Sequence, residues 1–396
     1  MKRFILFLSI ALIGLFFYSC QKQPVDVSYH ILATSSVDLV QSTVVTSSLM
    51  CSEGGQMVAY EEESAGTVLL ILSSSKDMMD CETLQVENHP FNAVCSFVID
   101  VEKRPLNQTF WYYIEMQAPY STPIRSAILK IPPIPKGAFM AGDGEFIFFA
   151  SGNLQYQASS DTWRFAENQY DVIGEDNQNI SSVYNGYIDL FGFGTSGYSY
   201  EPYFSTLESS YYAIGDISHS NNDWGIFCSI SNGENYQWRT PENSDWEYIV
   251  NGRPNADKKR GFAVVNGVSG YLLLPEVWHT PVDCSFNPDD LSNNNYDLAQ
   301  WQSMESAGAV FLPATGYRIE NDVKGMNIGV GSYFSSSWAT AGTNDNGVSF
   351  SAQPIRFYFD LNSLKPFASS IFIGEGKFNA YGSAIRLIRT AQNSSE

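Results

Sequence analysis

The segment Gln237–Val250, QWRTPENSDWEYIV, constrains the fold most strongly because it holds every local signal for the start of a helix. Thr240 stands at the position of an N-cap, and Pro241 stands at the first helical position. Glu242 and Asp245 then fall in the first turn, beside the positive end of the helix dipole. A helix of about ten residues is unstable alone, so its tryptophan and aliphatic side chains must pack against a sheet. We therefore predict a short structural helix that anchors the domain around it.

The first twenty residues, MKRFILFLSIALIGLFFYSC, have the pattern of an export signal: two basic residues, an apolar run, and Ser19 before Cys20. They resemble a bacterial lipoprotein signal, which implies that Cys20 becomes the lipidated first residue of the mature protein. An uncleaved anchor helix or an ordinary signal peptide is the alternative. We expect an exported protein held to a bacterial outer membrane through lipid on Cys20, and the sequence leaves open whether it faces the surface or the periplasm.

Composition limits the possible partners of the chain. The formal net charge of −20 argues against a nucleic-acid partner, because phosphate backbones select basic surfaces. Five cysteines follow Cys20, and this odd number leaves at least one of them unpaired: Cys51, Cys81, Cys95, Cys228 and Cys284. Their spacings match no zinc template. Disulfides and buried free thiols both remain open.

Residues 21–135 show repeated strand signals without a helical period. Seven β-branched or aromatic runs, separated by turn clusters, predict a β-sandwich: Val27–Ala33, Ser36–Val45, Gln56–Tyr60, Thr67–Leu72, Ala93–Val101, Phe110–Met116 and Arg125–Ile131. The closing stretch TFWYYIEMQAPYSTPIRSAILKIPP resembles the last hairpin of a fibronectin type III or related immunoglobulin-like domain. That resemblance implies a spacer role for this domain.

The proline-rich segment IPPIPKGAF predicts a stiff linker, so we place a domain boundary there and a second domain at 136–396. Within the second domain we predict a hairpin between Phe146–Phe149 and Leu154–Tyr156, with its turn at 151–153. A strand at Gly270–Leu274 and a second short helix at Ala299–Ser306 follow. Residues 179–210 have no regular period, so we predict long irregular loops there.

Four segments of the second domain resemble one family. WRTPENSDWEYI is similar to the helix-entry motif of the formylglycine-generating enzyme and sulfatase-modifying-factor group, and of a related paralogous domain in surface proteins of Fibrobacter and Bacteroides. GAVFLPATGYR, GSYFSSSW and GSAIRLIRT resemble later strands of that domain in the same order, and SGNLQYQASSDTWRFAENQYD extends the similarity to most of 138–391. The resemblance implies a C-type-lectin-like fold with two short helices and a twisted antiparallel sheet. The fold class expected for the whole chain is α+β, with an N-terminal β-sandwich followed by this mixed α/β domain.

The resemblance also bears on chemistry. Enzymes of that group use a metal held by a cysteine pair in the C-terminal part of the domain, whereas this chain has no cysteine after Cys284. We therefore predict that the protein is not an enzyme; a divergent oxidase using Cys228 and Cys284 is the alternative. The four histidines occupy unrelated contexts and suggest no hydrolytic site: His30, His89, His219 and His279.

No cofactor is expected, although the sequence contains oxygen ligands that suggest calcium as a candidate ion. C-type lectins bind sugar hydroxyls through calcium held by carboxylate and amide oxygens. Asn221–Asp223 faintly resembles one of their motifs, although the proline-centred partner motif is missing. A second group of oxygen ligands occurs in an Asn-rich loop, where a solvated loop is the simpler interpretation: Asp289, Asp290, Asn293 and Asp297.

Two clusters of aromatic and amide side chains are the candidate ligand-binding residues. The first lies in Gly- and Ser-rich sequence of the kind that recognition loops use: Tyr198, Tyr200, Tyr203, Tyr211, Tyr212 and Trp224. The second lies towards the C-terminus: Tyr333, Trp338, Asn344, Asp345, Asn346 and Asn379. Packing inside an aromatic-rich core is the alternative for most of them. Arg318, Arg386 and Arg389 are predicted to brace strands through carboxylate pairs.

These observations favour a non-catalytic envelope lipoprotein. Its lectin-like domain would bind a glycan or protein ligand in adhesion or surface recognition, and a Bacteroidetes-type cell surface is the expected setting. The alternatives are a divergent formylglycine-generating enzyme and a structural subunit of a surface appendage.

Overall fold

The structure, a computed structural model, describes residues 28–37, 43–53, 56–61, 64–99, 108–117, 122–131, 133–141, 145–203, 216–234, 237–289, 294–326, 329–340, 350–352, 355–358 and 381–391. The export signal and Cys20 lie outside these ranges. The chain divides into two compact units between Lys136 and Gly137, one residue beyond the boundary placed on the proline-rich segment. Among the described residues, no helix is long and apolar enough to cross a membrane.

The first unit contains nine described strands: β1 Ser28–Val37, β2 Thr43–Glu53, β3 Gln56–Ala59, β4 Ala65–Ser73, β5 Cys81–Pro90, β6 Cys95–Ile99, β7 Phe110–Gln117, β8 Ile124–Arg125 and β9 Leu129–Ile131. β1, β2 and β3 form one antiparallel sheet, which β6 joins by pairing with β2. The second sheet has the order β5-β4-β7, and both β8 and β9 pair with β7. Five of the seven predicted runs each overlap one strand. Arg125–Ile131 covers the end of β8 and the whole of β9, and the prediction of a strand at Ser36–Val45 is wrong, because this run covers only the end of β1 and the start of β2, with residues 38–42 outside the described ranges.

Alternating side chains on the two sheets fill one hydrophobic core. Cys95, Phe97 and Ile99 are buried along β6, while the residues between them are exposed. Leu70 on β4 and Ile114 on β7 belong to the same buried cluster, so both sheets contribute to it. β5 was not predicted from the sequence; β4 is its only partner among the described strands, and β5 is mostly polar and exposed. An edge strand needs no apolar alternation, because one of its faces and one of its edges can remain in water.

The second unit begins with four short strands: β10 Phe139–Met140, β11 Phe146–Phe149, β12 Leu154–Gln157 and β13 Thr162–Phe165. Its later strands are β14 Arg260–Val265, β15 Val268–Leu273, β16 Asn295–Tyr296, β17 Val310–Pro313, β18 Tyr317–Ile319, β19 Asp322–Lys324, β20 Val330–Tyr333, β21 Trp338–Thr340, β22 Phe350–Ala352, β23 Ile355–Tyr358 and β24 Ile388–Thr390. The main sheet has the order β16-β14-β15-β17, and a second sheet, β10-β11-β24, joins the start of the unit to its end. The remaining described strands pair in twos.

The described part of the second unit also contains three α-helices: α1 Trp224–Phe227, α2 Asn243–Glu247 and α3 Leu298–Ser306. A π-helical turn, Tyr248–Gly252, continues α2 directly, and short 3-10 turns occur at Ala158–Ser160, Gly174–Gln178 and Ala256–Lys258. The described chain is therefore rich in strands, with few and short helices, as the broad α+β class requires. The predicted helix at Ala299–Ser306 is confirmed as α3, one residue longer at its start.

The helix predicted from QWRTPENSDWEYIV exists, but its start was predicted wrongly. α2 begins at Asn243 with Glu242 as its N-cap, and Glu242 and Asp245 form a capping box. Thr240 lies before the helix start, where its N–H and hydroxyl both donate to Asp223. Trp246 packs in one cluster with Leu273 and Leu312 of the main sheet, which confirms the predicted packing against a sheet.

The predicted hairpin of β11 with β12 is also wrong. β11 pairs with β24, and β12 pairs with β13. The connection between β11 and β12 follows the C-terminal segment instead: Ala150 N–H donates to Leu387 O at 2.9 Å, and Leu154 N–H donates to Ile385 O at 2.9 Å. A partner more than two hundred residues away thus replaces the local one.

Candidate functional site

The predicted ligand-binding residues that the structure describes differ in their exposure. Tyr198 is 57% exposed, while Tyr200 and Tyr203 are partly buried and pack against a hydrophobic cluster. Trp338 is placed by its backbone in β21, and nothing is described of its side chain. Six other candidates lie outside the described residues: Tyr211, Tyr212, Asn344, Asp345, Asn346 and Asn379. The remaining two, Trp224 and Tyr333, are described.

Trp224 and Tyr333 are core residues, which corrects the prediction that they contact a ligand. Both have an exposed fraction of 0%. The Trp224 ring stacks on Phe334 with the ring centroids 6.1 Å apart. The Tyr333 hydroxyl donates to Pro313 O at 2.8 Å, and burial raises the pKa of this hydroxyl.

A cleft of about 560 Å³ lies instead where the segment at 237–239 meets the C-terminal strand. Arg239 and Ile388 exchange two backbone hydrogen bonds of 2.9 Å, which join these distant parts of the chain. The described lining consists of residues 237–239 and 389–390, together with His219, Gly225, Ile226 and Cys228. Two segments singled out in the sequence thus build the cleft together with α1.

Gly225 allows α1 to approach the cleft segment closely. A Cβ atom at this position would lie 2.5 Å from both Cα and N of Arg239. Such a contact is too short for any side chain, and the atoms that it meets are backbone atoms that cannot turn away. Glycine is therefore required here by the close contact of two backbones.

Asp223 holds α1 to the same segment. It is the N-cap of α1, where its Oδ1 accepts a hydrogen bond from Gly225 N–H at 2.9 Å. The same Oδ1 accepts from Thr240 N–H at 3.0 Å and from the Thr240 hydroxyl at 2.8 Å. Burial raises the pKa of Asp223 to about 6, against the opposing effect of these hydrogen bonds and of Arg239. One buried carboxyl therefore fixes both the helix start and the wall of the cleft.

The charged groups at the cleft are basic. Arg239 donates from Nη1 to Asp245, and the Arg389 guanidinium lies 4.8 Å from the ring centroid of Phe148 and 6.0 Å from that of Trp238. His219 Nε2 is 3.2 Å from an oxygen of Glu242. None of the nine lining residues that the structure describes is acidic. The described lining thus supplies basic side chains, two of which lie against the carboxylates of Asp245 and Glu242.

Trp238 supplies the aromatic wall of the cleft. Its ring is half-buried, and its Nε1 donates to Gly233 O at 2.7 Å. An edge contact with Phe165, at 4.9 Å between ring centroids, further fixes the ring. Ile226 and Phe227 are exposed on α1, and Tyr198 packs edge-on against Phe227 at 5.4 Å. These three side chains form an exposed apolar patch that reaches the cleft at Ile226.

The cysteines do not form the pairs that the sequence left open. No disulfide joins any of the five cysteines after Cys20 in the described part of the chain. The Cys228 thiol donates to Ser196 O at 3.4 Å and the Cys284 thiol to Gln300 O at 3.6 Å, and the two side chains pack against different hydrophobic clusters. Burial raises the pKa of both thiols, so neither is activated as a thiolate.

Two of the oxygen ligands weighed for calcium have structural roles. Asp297 caps α3 by accepting from Gln300 N–H at 2.9 Å, and Asp223 is held by Thr240 and Gly225. Asp290 and Asn293 lie outside the described residues. Within the described part of the chain, no group of three or more His, Cys, Asp or Glu side chains is arranged to hold a metal ion.

The arginines brace the strands differently from the prediction. Arg386 is fully buried and donates to the side-chain oxygens of Asn153 and Gln169 and to the carbonyls of Ala150 and Phe311. Arg318 donates to Leu190 O at 3.0 Å. At Arg386, carbonyl and amide oxygens thus take the place of the predicted carboxylates, and burial lowers the pKa of Arg386 to about 10.

Comparisons of the chain with known protein families, with characterised proteins and with solved structures found no match. Any proposal about function must therefore be based on the residues and geometry of the cleft.

The sequence analysis did not predict Trp238 and Arg239 as residues of the site, because it assigned QWRTP to a structural helix. It assigned Arg389 to bracing of strands. The available signal was an arginine in each of the two segments, with a tryptophan next to Arg239.

Proposed function

We propose that the second unit binds a saccharide in the cleft formed by α1, residues 237–239 and residues 389–390. The observation that carries this proposal is a half-buried tryptophan beside guanidinium groups in a concave space of about 560 Å³. Specific small-molecule sites have this size and combine a few polar groups with apolar walls. The C–H faces of a sugar ring pack on an aromatic ring, and its hydroxyls need polar partners such as Gln237 and Thr390.

The saccharide is bound without conversion in this proposal. The two thiols of the second unit, Cys228 and Cys284, pack against separate clusters and have raised pKa values, which supports binding over thiol oxidation. The resemblance of four segments to the formylglycine-generating group supports a C-type-lectin-like scaffold. The short helices and the main sheet, which is antiparallel except for the parallel pairing of β14 with β16, are compatible with it.

The remaining parts of the proposal concern location. Lipid on Cys20 anchors the protein to the outer membrane, and the first unit acts as a β-sandwich spacer. The two sheets with a shared core support the spacer role. A surface-exposed or periplasm-facing lipoprotein with this arrangement acts in recognition or adhesion.

Saccharide binding by the mature chain, measured on a glycan array and then by calorimetry, tests the proposal. Trp238→Ala removes the aromatic wall and is expected to abolish binding, whereas Trp238→Phe keeps a ring and retains most of it. Trp111→Ala, which removes an aromatic side chain of the first unit, serves as the control and keeps full affinity. Silence of the wild-type chain across the array, or equal affinity of the wild-type and Trp238→Ala chains, would overturn the assignment.

A further inference from the structure

The exposed apolar patch of Tyr198, Ile226 and Phe227 continues the cleft along α1. Ile226, which lines the cleft, is 45% exposed, and the neighbouring Phe227 is 43% exposed. Tyr198 is 57% exposed and packs edge-on against Phe227, with 5.4 Å between the ring centroids. Large apolar side chains that lie together in water mark binding surfaces, whereas single exposed ones do not. Because Ile226 belongs to both the patch and the cleft, the two form one continuous surface.

Tyr198 lies on a short hydrogen-bonded turn. Gly197 N–H donates to Tyr200 O at 3.0 Å, and Tyr198 N–H donates to Ser196 Oγ at 3.4 Å. Ser196 is fully buried, so the turn that carries the exposed ring starts from a fixed point in the fold.

The same serine connects this turn to the cleft. The Ser196 hydroxyl donates to Asn221 O at 2.8 Å, in the segment that leads into α1. The Ser196 carbonyl accepts from the thiol of Cys228, a residue of the cleft lining, at 3.4 Å. The position of Tyr198 relative to the cleft is thus set before a ligand binds. A pre-organised ring loses little conformational entropy on binding, which favours affinity.

The chemistry of the patch suits sugar units. It offers apolar area and one phenolic hydroxyl, and none of its three side chains is charged. Sugar rings combine C–H faces with hydroxyl groups, which an aromatic ring that carries a hydroxyl can match. A specific protein partner contacts about 20–30 residues on each side, so three side chains would be a small part of such an interface. The patch therefore favours further units of the saccharide over a protein.

From these contacts we infer that the ligand is an oligosaccharide, whose chain extends from the cleft over α1 to the ring of Tyr198. This inference rests on the proposed saccharide site and specifies the size of its ligand. One sugar unit packs on Trp238 in the cleft, and a later unit packs on Tyr198. Ile226 and Phe227 contact the chain between these two positions.

The test measures affinity against chain length by calorimetry on the mature chain. The probes are three neutral series that run from the single sugar to the hexasaccharide: glucose with cello-oligosaccharides, mannose with manno-oligosaccharides, and galactose with galacto-oligosaccharides. In a series that binds, the affinity should rise by about tenfold once the chain is long enough to reach Tyr198.

The variants separate the two aromatic positions. Tyr198→Ala should remove this rise and keep the affinity of the shortest sugars, while Tyr198→Phe should keep most of the rise because it retains the ring. Trp238→Ala, in contrast, should lower the affinity for every chain length. The matched control is Tyr187→Ala, which removes a tyrosine that stacks with Arg164 at 3.7 Å and does not line the cleft. This control should keep the rise.

The ring removed by Tyr198→Ala is mostly exposed, so circular dichroism should show that this variant is folded. A wild-type affinity that does not depend on chain length, or a rise that persists in Tyr198→Ala, overturns the inference and leaves the saccharide site standing. A wild-type dimer that dissociates in Tyr198→Ala, measured by sedimentation velocity, would assign the patch to a second copy of the chain and also overturn it. No binding of any of the three series overturns the inference, and silence across the glycan array overturns the saccharide site as well.

Discussion

At the scale of single residues, Asp223 connects the sequence to the shape of the cleft. Its carboxyl group accepts hydrogen bonds from the backbone N–H of Gly225, the backbone N–H of Thr240 and the hydroxyl of Thr240. Thr240 is buried, so water cannot replace the lost partner if the carboxyl group is removed. The carboxyl group is therefore structural although it stands next to a candidate binding site.

Asp223→Ala is expected to lower the free energy of unfolding by about 3 kcal/mol, because it leaves buried donors without an acceptor. Asp223→Asn keeps an oxygen where Oδ1 accepts the three bonds, so its cost near pH 5 should be much smaller. Chemical denaturation of the two variants and the wild type measures both values. An equal loss in the free energy of unfolding for Asp223→Ala and Asp223→Asn would mean that these hydrogen bonds do not stabilise the folded chain.

The pH dependence of stability provides a second prediction for the same residue. Burial raises the pKa of Asp223 from 3.8 to about 6, so between these values the folded chain binds a proton that the unfolded chain has released. The contribution of Asp223 to stability is therefore present at low pH and declines as the pH rises through this window. A pKa difference of this size corresponds to about 3 kcal/mol at most.

Asp223→Asn cannot titrate, so its stability relative to the wild type should rise between pH 4 and pH 7. Asp189, which has a pKa raised by burial in the same direction, is present in both chains and cancels in the comparison. Denaturation curves at the two pH values give the difference directly. A difference that stays constant with pH would show that Asp223 titrates alike in the folded and unfolded chains.

At the scale of elements, the contact between α1 and the segment at 237–239 decides whether the cleft exists. Gly225→Ala would place a Cβ atom 2.5 Å from backbone atoms of Arg239, so α1 or the segment must move. We expect a loss of about 2 kcal/mol in the free energy of unfolding and a loss of ligand affinity, as for an overpacked core. Thermal unfolding and calorimetry measure the two effects.

Gly252→Ala is the control for this element. The nearest atom to a Cβ there is a side-chain carbon of Tyr248 at 3.2 Å, which a small ring movement can relieve. This variant should keep its affinity and most of its stability. If Gly225→Ala behaves like Gly252→Ala, the close backbone contact does not control the cleft.

The elements also show what could be predicted from the sequence. α3 and the strands of the first unit follow from capping residues and apolar alternation, which are local properties. The β11–β24 pairing and the bridge between Arg239 and Ile388 join residues far apart in sequence, and no local pattern contains them. The start of α2 was misplaced because Glu242, two residues after Thr240, forms the capping box with Asp245, while Thr240 bonds to Asp223 of another segment.

The site was predicted less well than the fold for the same reason. Aromatic density in Gly- and Ser-rich sequence does not distinguish an exposed ring from a core ring. Trp224 is buried whereas Tyr198 is exposed, and only the packing of Phe334 against Trp224 separates the two cases. Trp238 and Arg389 are far apart in sequence and become neighbours only in the folded chain. The residues next to each of them in the sequence therefore do not identify it as part of the site.

At the scale of the whole molecule, no hydrophobic cluster of described residues contains residues from both sides of the division after Lys136. The cluster of the first unit includes residues from Ala33 to Ile131, and the other three clusters include residues from Phe139 to Ile388. Each cluster of described residues therefore belongs to one unit. Units that contain their own cores can fold independently.

We expect residues 28–136 and residues 137–396, expressed separately, to unfold cooperatively, because neither fragment loses a core residue to the other. Residues 137–396 contain the whole described lining of the cleft, so this fragment should bind saccharide with the affinity of the mature chain. Denaturant titration followed by near-ultraviolet circular dichroism tests the folding, and calorimetry tests the binding.

A folded fragment 137–396 without affinity would assign part of the binding to the first unit, whereas an unfolded fragment would show that its clusters depend on the rest of the chain. The two outcomes separate a passive spacer from a domain that the binding unit needs.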